Sequence, residues 1–563
     1  CGSIVYDEYT LKILGFQSAT NKMSVFFNAF GTSSLESVKE YFRELDSTQM
    51  KVGNKNISLK NRKSDIVDIE ETNCTLMQTT PAMMNYQSTK TTILPSSCYE
   101  QFGRVIRRPC NISQNGDKGQ TALINGLKNY RPHLEFPQEH IDEALADVKW
   151  MFRKFCKPVI PVVSKRSLSE AVVGVPGFIP RITMSTSPGM PWCCYTKTKR
   201  KSDLLEFDDE HQLSGIHADL KKLIEENEKR MSEGEVPLTI YQVSHKDERL
   251  PLEKLDNVRL IQGSPLDLTI SARKFLMDFN LAFQEHRNNL EHQVGINVQS
   301  IEWDIMTRSL LEFSDLICVG DYSKFGPRLL TKFVEASYDV MNDWYSYNHA
   351  GDHSTERTVL GKRAMNCLNI AYDQVFKLEC GSPSGAMNTV IVNSICNMLY
   401  IRCAWIGIMT REDIQLSSLH HFRKFVKFFC YGDDVIFAVK PEVIGLFNNA
   451  SISSYFAEFD VKYTDVTKGE LMRKFCYIED ATFLKCGFRF FTETAVSPGI
   501  WVCLPNLDDI KDTTNWVRVP KGLRKSVDIE KLKIKGTVDN CNDAIRKSWF
   551  HGRNTFEEFQ EAV

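Results

Sequence analysis

Hydrophobic and polar positions along the chain alternate between two periods, and these predict most of the architecture. From Glu139 to Phe155, Ile141, Ala144, Leu145, Val148, Met151 and Phe152 recur at three- and four-residue steps, which predicts one packed helix face. Between Val172 and Trp192 the pattern breaks into Gly and Pro punctuation, which places a boundary or long loop near 190. Ser202 to Glu233 is charged but carries Leu204, Leu205, Leu220, Leu223 and Ile224, and reads as helical. From 316 onward the order is strand, helix, helix, hairpin, helix: Leu316 to Val319, Leu329 to Trp344, Ser384 to Ile406, then two β-rich runs around Gly432. The first hundred residues mix short apolar runs with Ser, Thr and Asn clusters and carry no recognisable chemistry. No internal repeat is evident.

Length and composition narrow the class. The chain has 563 residues, enough for two to four compact units or one large multi-subdomain enzyme, and at 42% hydrophobic it should fold throughout. With 69 Lys and Arg against 71 Asp and Glu, the net charge of −2 excludes a uniformly basic coat protein, so any nucleic-acid site must be a local groove. The 17 cysteines show no paired C-x-x-C spacing, and the adjacent Cys193 and Cys194 suit neither a zinc knuckle nor a disulfide framework; they read as mostly reduced thiols. The most apolar run, Ile395 to Met409, is interrupted by Asn397 and Arg402 and reads as a buried helix, not a membrane span. A soluble, cytosolic chain is expected, and the start at Cys1 without Met fits release from a longer precursor.

Four segments carry candidate chemistry. The strongest is Tyr431-Gly432-Asp433-Asp434 between Lys424–Cys430 and Val435–Val439, a hairpin signature that puts carboxylates at an exposed tip where a hard divalent cation can collect oxygen ligands. Alone it is also what an ordinary Asp-rich turn looks like. A second carboxylate, Asp321, closes the apolar run Leu316–Gly320, so two strand-end aspartates can face one another and hold two ions. Taken singly, Asp321 reads rather as a strand-terminating residue that caps the next helix. In the third, Gly381-Ser382-Pro383-Ser384-Gly385, Ser384 is a candidate helix N-cap, and Thr389 and Asn393 fall four apart on one helical face where a hydroxyl and an amide can read a ribose. The fourth holds Lys246, Arg249, Lys254 and Arg259 in a Gly/Pro-bounded loop suited to a triphosphate, although most such runs are solvated faces.

In this order the segments resemble the RNA-dependent RNA polymerases of picorna-like positive-strand RNA viruses, most nearly the iflavirus type. Thr186-Ser187-Pro188-Gly189 is similar to the template-entry motif G, Lys246–Arg259 to motif F, Asp321 to motif A, Ser384-Gly385 with Thr389 and Asn393 to motif B, and Asp433-Asp434 to motif C. Tyr463–Lys468 resembles motif D, and Thr482–Arg489, with Lys485, the primer-gripping hairpin. The resemblance spans roughly residues 180–490 and rests on seven ordered signals.

What it implies is an α+β right-handed polymerase fold in closed ring form, with an antiparallel palm sheet backed by helices. The implied partition is fingers with an N-terminal extension over 1–263, palm over 264–329 and 381–491, a fingers insertion over 330–380, and thumb over 492–563. Asp321 and Asp433, with Asp434 auxiliary, would bind two Mg2+ ions, Mn2+ being able to substitute. Lys246, Arg249, Lys254 and Arg259 would hold nucleotide phosphates, and Ser384, Gly385, Thr389 and Asn393 the nucleotide. Thr186, Ser187, Gly189 and Lys485 would contact template and primer, and Lys468 would protonate the leaving pyrophosphate. Implied partners are template and primer RNA, ribonucleoside triphosphates, a genome-linked protein primer and viral replication proteins. The implied setting is host cytoplasm at membrane-associated replication complexes, for a monomer without its own transmembrane segment. One departure stands out: the second Asp usual five positions after motif A's first is Gly326 here, followed by Pro327, so ribose discrimination must rest on Ser384, Thr389, Asn393, backbone groups or water. A reverse transcriptase and a catalytically silent RNA-binding scaffold are the alternatives. No G-x-x-x-x-G-K-[ST] loop supports a nucleotide-hydrolysing motor.

Overall fold

In the computed structural model the described residues are 2–6, 13–18, 49–52, 55–58, 72–79, 90–112, 117–196, 200–365, 367–372, 374–465, 472–492, 499–520 and 528–562. At its centre is a four-stranded antiparallel sheet, ordered Val426–Tyr431, Asp434–Val439, Ile317–Tyr322, Tyr463–Asp465. The first two strands form the expected hairpin: Tyr431 pairs with Asp434, and Gly432 and Asp433 are its two loop residues. Gly432 has φ of +63°, the sign that a II′ turn demands at its first central position.

Both faces of this sheet are covered, which explains why its strands read as nearly continuous apolar runs rather than alternating ones. Ile317, Val319, Phe429, Ile436 and Ala438 pack with Trp303, Met306 and Leu310 of the helix Ile301–Leu311. Their sequence neighbours Cys318, Phe428, Cys430, Val435 and Phe437 point the other way, into the largest core, shared with the helices Gln138–Phe155, Thr331–Tyr347 and Thr389–Glu412. The predicted helix over 139–155 is present, with Ile141, Ala144, Val148, Met151 and Phe152 buried. Thr389–Glu412 is long and apolar enough to cross a membrane but is buried inside the protein. Its Arg402 is fully buried and neutralised by Asp147 and Glu291, both at 2.8 Å, so the charge that interrupts the apolar run lies inside as part of an ion-pair cluster.

A second sheet of five strands runs Leu260–Gly263, Ile240–His245, Leu368–Ala371, Gln374–Leu378, Cys74–Thr79. Two expectations need correction. Only Ala218–Ser232 of the segment 202–233 is helical; Leu205–Phe207 and Leu213–Ile216 form a hairpin, because Leu204 and Leu205 enter the core at its edge rather than along a helix stripe. Between 344 and 384 the chain inserts a further helix, Ser354–Ala364, and the hairpin Leu368–Leu378 that completes the second sheet.

Sequence-distant ends meet. Ile93–Pro95 pairs with Trp516–Arg518, and the Arg107 guanidinium binds Asp509 at 2.9 Å. Arg249 donates to the buried Asp512 carboxylate at 2.9 Å. Arg518 donates to the Thr92 hydroxyl at 2.8 Å and to the Asp247 carbonyl at 2.8 Å.

Candidate active site

Strand register, not sequence proximity, assembles the acidic centre. Gly320 pairs with Val435, so Asp321 follows on one strand where Asp434 precedes on its neighbour. On its other side Asp321 pairs with Thr464. Burial, then the charges of Asp433 and Asp321, push the Asp434 carboxyl up to about 6, with Lys485 opposing. Asp433 is open to water at the turn tip yet flanked by protein on the remaining sides. Its carboxyl is raised by burial first and then by Asp321, while Arg259 pulls it down. The described residues contain no three His, Cys, Asp or Glu side chains converging on one point. The charges of Asp321 and Asp433 both bear on the Asp434 carboxyl, and that of Asp321 on Asp433, a charge excess that a divalent cation would relieve, and hard carboxylate oxygens suit Mg2+.

The basic loop divides. Arg259 makes a two-pronged contact with Glu248, one arm at 2.6 Å, and Lys246 reaches the same carboxylate at 3.4 Å. Glu248, then the Asp433 charge, holds the Arg259 pKa high, so this cation faces the acidic centre. Lys254 is exposed at the end of the short turn Leu252–Lys254. Arg249 is not aimed at this centre: it is spent on the Asp512 carboxylate and the Thr513 hydroxyl.

Motif B's predicted residues act in different ways. Ser384 is not the helix N-cap, because the helix begins at Thr389 behind Asn388; the Ser384 hydroxyl instead accepts the Gln262 amide hydrogen at 3.1 Å and keeps its own hydrogen to donate. Thr389 is committed internally, donating to the carbonyls of Pro383 and Ala386 at 2.7 and 2.9 Å. Asn393 has a buried Oδ1 without a hydrogen-bond partner, and its Nδ2 would stand 3.6 Å from a Cβ at position 326. The amide therefore borders the space that Gly326 leaves open.

Gly385 and Gly189 serve by backbone approach to one segment. A Cβ on Gly385 would lie 2.3 Å from the Gln262 carbonyl oxygen, and one on Gly189 2.4 Å from that of Ser264. Thr186 and Ser187 are exposed on the preceding loop. Lys485 is exposed at a tight turn between Phe483 and Cys486, with Leu484 and Lys485 both left-handed, and its charge reaches Asp434. Lys468 lies outside the described residues.

Three further residues complete the site. Ser394 accepts the Gly432 amide hydrogen at 2.9 Å, Asn397 donates to the Gly432 carbonyl at 2.9 Å, and Glu248 organises the two cations. The polar residues Asn393, Ser394 and Asn397 within a buried apolar helix were the available signal; their partner lies far along the chain.

A family model described as viral RNA-dependent RNA polymerase matches residues 95–535. The chain is 33% identical over 450 residues to the genome polyprotein of Deformed wing virus, covering 77% of this chain and 15% of that one. It is 25% identical over 501 residues to the replicase polyprotein of Drosophila C virus (strain EB), covering 85% and 27%. The chain thus spans well under a third of these relatives' length. Among solved structures it is similar to the Sicinivirus 3Dpol RNA dependent RNA polymerase, with a TM-score of 0.68 at 18% identity over 87% of this chain and 93% of that one, which establishes the polymerase fold.

Proposed function

The chain belongs to the viral RNA-dependent RNA polymerase family, and from that premise we propose that it synthesises RNA on an RNA template, replicating a viral genome by nucleotidyl transfer. The primer 3′-hydroxyl oxygen bonds to the α-phosphorus of a ribonucleoside triphosphate as the bond to the bridging oxygen breaks and pyrophosphate leaves. The observation that carries this reading is the register that sets Asp321 beside Asp434 with Asp433 at the turn tip, under the charge of Arg259. Asp321 and Asp433, with Asp434 beside them, would hold two Mg2+ ions, which when bound activate the attacking hydroxyl and steady the developing charge. Mn2+ has the same ligand preference.

The chain's own groups do the rest. Arg259 and Lys246, clamped by Glu248, present positive charge to the triphosphate, and Lys254 adds charge at the rim. Ser384 and Asn393 retain unused hydrogen-bonding capacity and read the ribose, whereas Thr389 shapes the turn that presents them. Lys485 positions the primer strand and Lys468 donates a proton to pyrophosphate.

The second sheet and its surroundings form the fingers, the central sheet the palm, and the residues after about 491 the thumb. The contacts of Arg107, Arg249 and Arg518 close the ring, which is Arg249's role in place of phosphate binding. Template and primer RNA, a genome-linked protein primer and other viral replication proteins are the proposed partners of a monomer working at cytoplasmic replication membranes. Primer extension on defined RNA with ribo- or deoxyribonucleotides tests the reading: ribonuclease-sensitive templated product supports it. A preference for deoxynucleotides would mean a reverse transcriptase, and no product from folded protein would mean a scaffold.

A further inference from the structure

The outer edge of the hairpin that carries Asp433 is held by a strap tied to a buried ion pair. Val426–Tyr431 is an edge strand of the central sheet, so its outward backbone groups need a partner other than a sheet strand. At Cys430, three residues before Asp433, the segment 291–293 supplies both: the Cys430 amide donates to the Glu291 carbonyl at 3.1 Å, and the Gln293 amide donates to the Cys430 carbonyl at 2.8 Å. This division fits the hairpin, because Tyr431 pairs with Asp434 across the two-residue turn and the groups of Cys430 then face away.

The strap is anchored on both sides. The His292 ring stacks on Phe283 of the helix Leu266–Glu285, with centroids 3.6 Å apart, and Gln293 Nε2 donates to Asn288 Oδ1 at 2.9 Å. On the other side the Glu291 carboxylate accepts from Arg402 at 2.8 Å. Glu291 has φ of +58°, a left-handed backbone that a residue with a long side chain keeps only when its surroundings hold it there. The ion cluster is balanced, Arg402 and Arg423 against Asp147 and Glu291. A balanced buried cluster adds little net stability over apolar packing of the same shape; what it specifies is geometry. The helix Thr389–Glu412 that carries Arg402 also holds Gly432 through Ser394 and Asn397. One rigid element thus grips the hairpin directly at its tip and, through Glu291, at its outer edge.

We propose that Glu291, held by Arg402, is a positioning residue for the metal site. It fixes the hairpin edge at Cys430 and thereby the place of the Asp433 and Asp434 carboxylates that would hold the divalent ions. Its action runs through the strand and not by contact with an ion. The inference rests on the two-metal reading above.

The test is binding of Mn2+ to the full chain at pH 7.5 without RNA or nucleotide, read from the paramagnetic resonance signal of the free ion, with Asp433→Ala marking the binding that belongs to this site. Glu291→Gly is the primary variant: glycine adopts the left-handed backbone freely, and Arg402 keeps Asp147. Glu291→Gln removes the charge but leaves an oxygen that Arg402 can hold. The expected result is several-fold weaker Asp433-dependent Mn2+ binding in Glu291→Gly, with Glu291→Gln close to wild type. A Glu291→Gly protein with a wild-type melting curve and wild-type Mn2+ affinity overturns the proposal. So does Glu291→Gln as weak as Glu291→Gly, which would assign the effect to charge and not to the tether. If Glu291→Gly does not fold, Glu291→Asp, one methylene short of Arg402, carries the test: weaker binding is expected, and wild-type affinity overturns the proposal. Wild-type binding no stronger than that of Asp433→Ala strikes the metal reading and the inference with it, whereas site binding that is present but unmoved by Glu291→Gly strikes the inference alone.

Discussion

Asn397 donates to the carbonyl oxygen of Gly432 at 2.9 Å, from the third turn of a buried helix to the turn that carries Asp433. Its Oδ1 accepts from the Tyr322 hydroxyl at 3.1 Å, so one amide ties the residue after Asp321 to the residue before Asp433. Ser394, one helical turn earlier, takes the Gly432 N–H. Both ends of the Gly432 residue are thus fixed by a rigid element.

Asn397 is therefore expected to set the spacing of the aspartates. Asn397→Ala should leave a folded protein that needs several-fold more Mg2+ for half-maximal primer extension, at an affinity cost of about 1–2 kcal/mol. A Mg2+ titration of extension rate beside the melting curve checks this. A lower maximal rate with an unchanged Mg2+ midpoint would leave Asn397 a packing residue only.

Protonation opposes metal binding in this site. With the Asp434 carboxyl pushed up to about 6 by burial and its acidic neighbours, the proton must leave before the oxygen can serve a cation. The rise in melting temperature caused by Mg2+ should be present at pH 7.5 and shrink as pH falls through about 6. His133 and His245 act on the metal-free protein: burial pulls both down to about 4, below the ordinary 6.5 of an unfolded chain. The unfolded state takes up those protons first, so their contribution to stability is present above 6.5 and declines toward 4, while Asp434 works in the opposite sense. A Mg2+ effect equal at pH 5 and 7.5 would contradict the first expectation.

Gly326 gives a specificity test. A side chain there would meet the Asn393 amide at 3.6 Å, an ordinary contact, so Gly326→Ala should fold. Gly326→Asp would give Asn393 a carboxylate partner and is expected to shift ribo- over deoxyribonucleotide preference by on the order of tenfold, about 1.4 kcal/mol. Competitive incorporation of matched ribo- and deoxyribonucleotides measures it. An unchanged ratio would place ribose discrimination elsewhere.

Asp512 is the buried half of a contact between sequence-distant segments, accepting from Arg249 at 2.9 Å and from the Ile106 amide at 3.1 Å. Asp512→Ala should cost about 3 kcal/mol, the low end for breaking a buried pair because Arg249 is partly exposed. Urea unfolding checks the stability, and dilution into high salt should show a shorter-lived RNA complex.

How much of this was legible depended on how local each cause is. The Gly432-Asp433 turn could be read because a two-residue hairpin states its geometry in its own residues, and the 139–155 helix because its period repeats. Asp321 could be placed at a strand end but not beside Asp434, which needs register. Arg249 reads as a phosphate ligand because nothing near it in sequence announces Asp512, 263 residues away. Leu204 and Leu205 read as helix because two adjacent apolar residues fit either period in isolation. Ser384 has the right chemistry for a cap, yet the Gln262 amide claims it and the helix starts five residues later.

The most direct test is templated primer extension with Mg2+ and ribonucleotides, comparing the intact protein with Asp433→Ala. The account predicts RNA product complementary to the template from the intact protein and a loss of at least several hundred-fold in the variant, about 4 kcal/mol of transition-state stabilisation. Product formed equally by folded Asp433→Ala protein would contradict it.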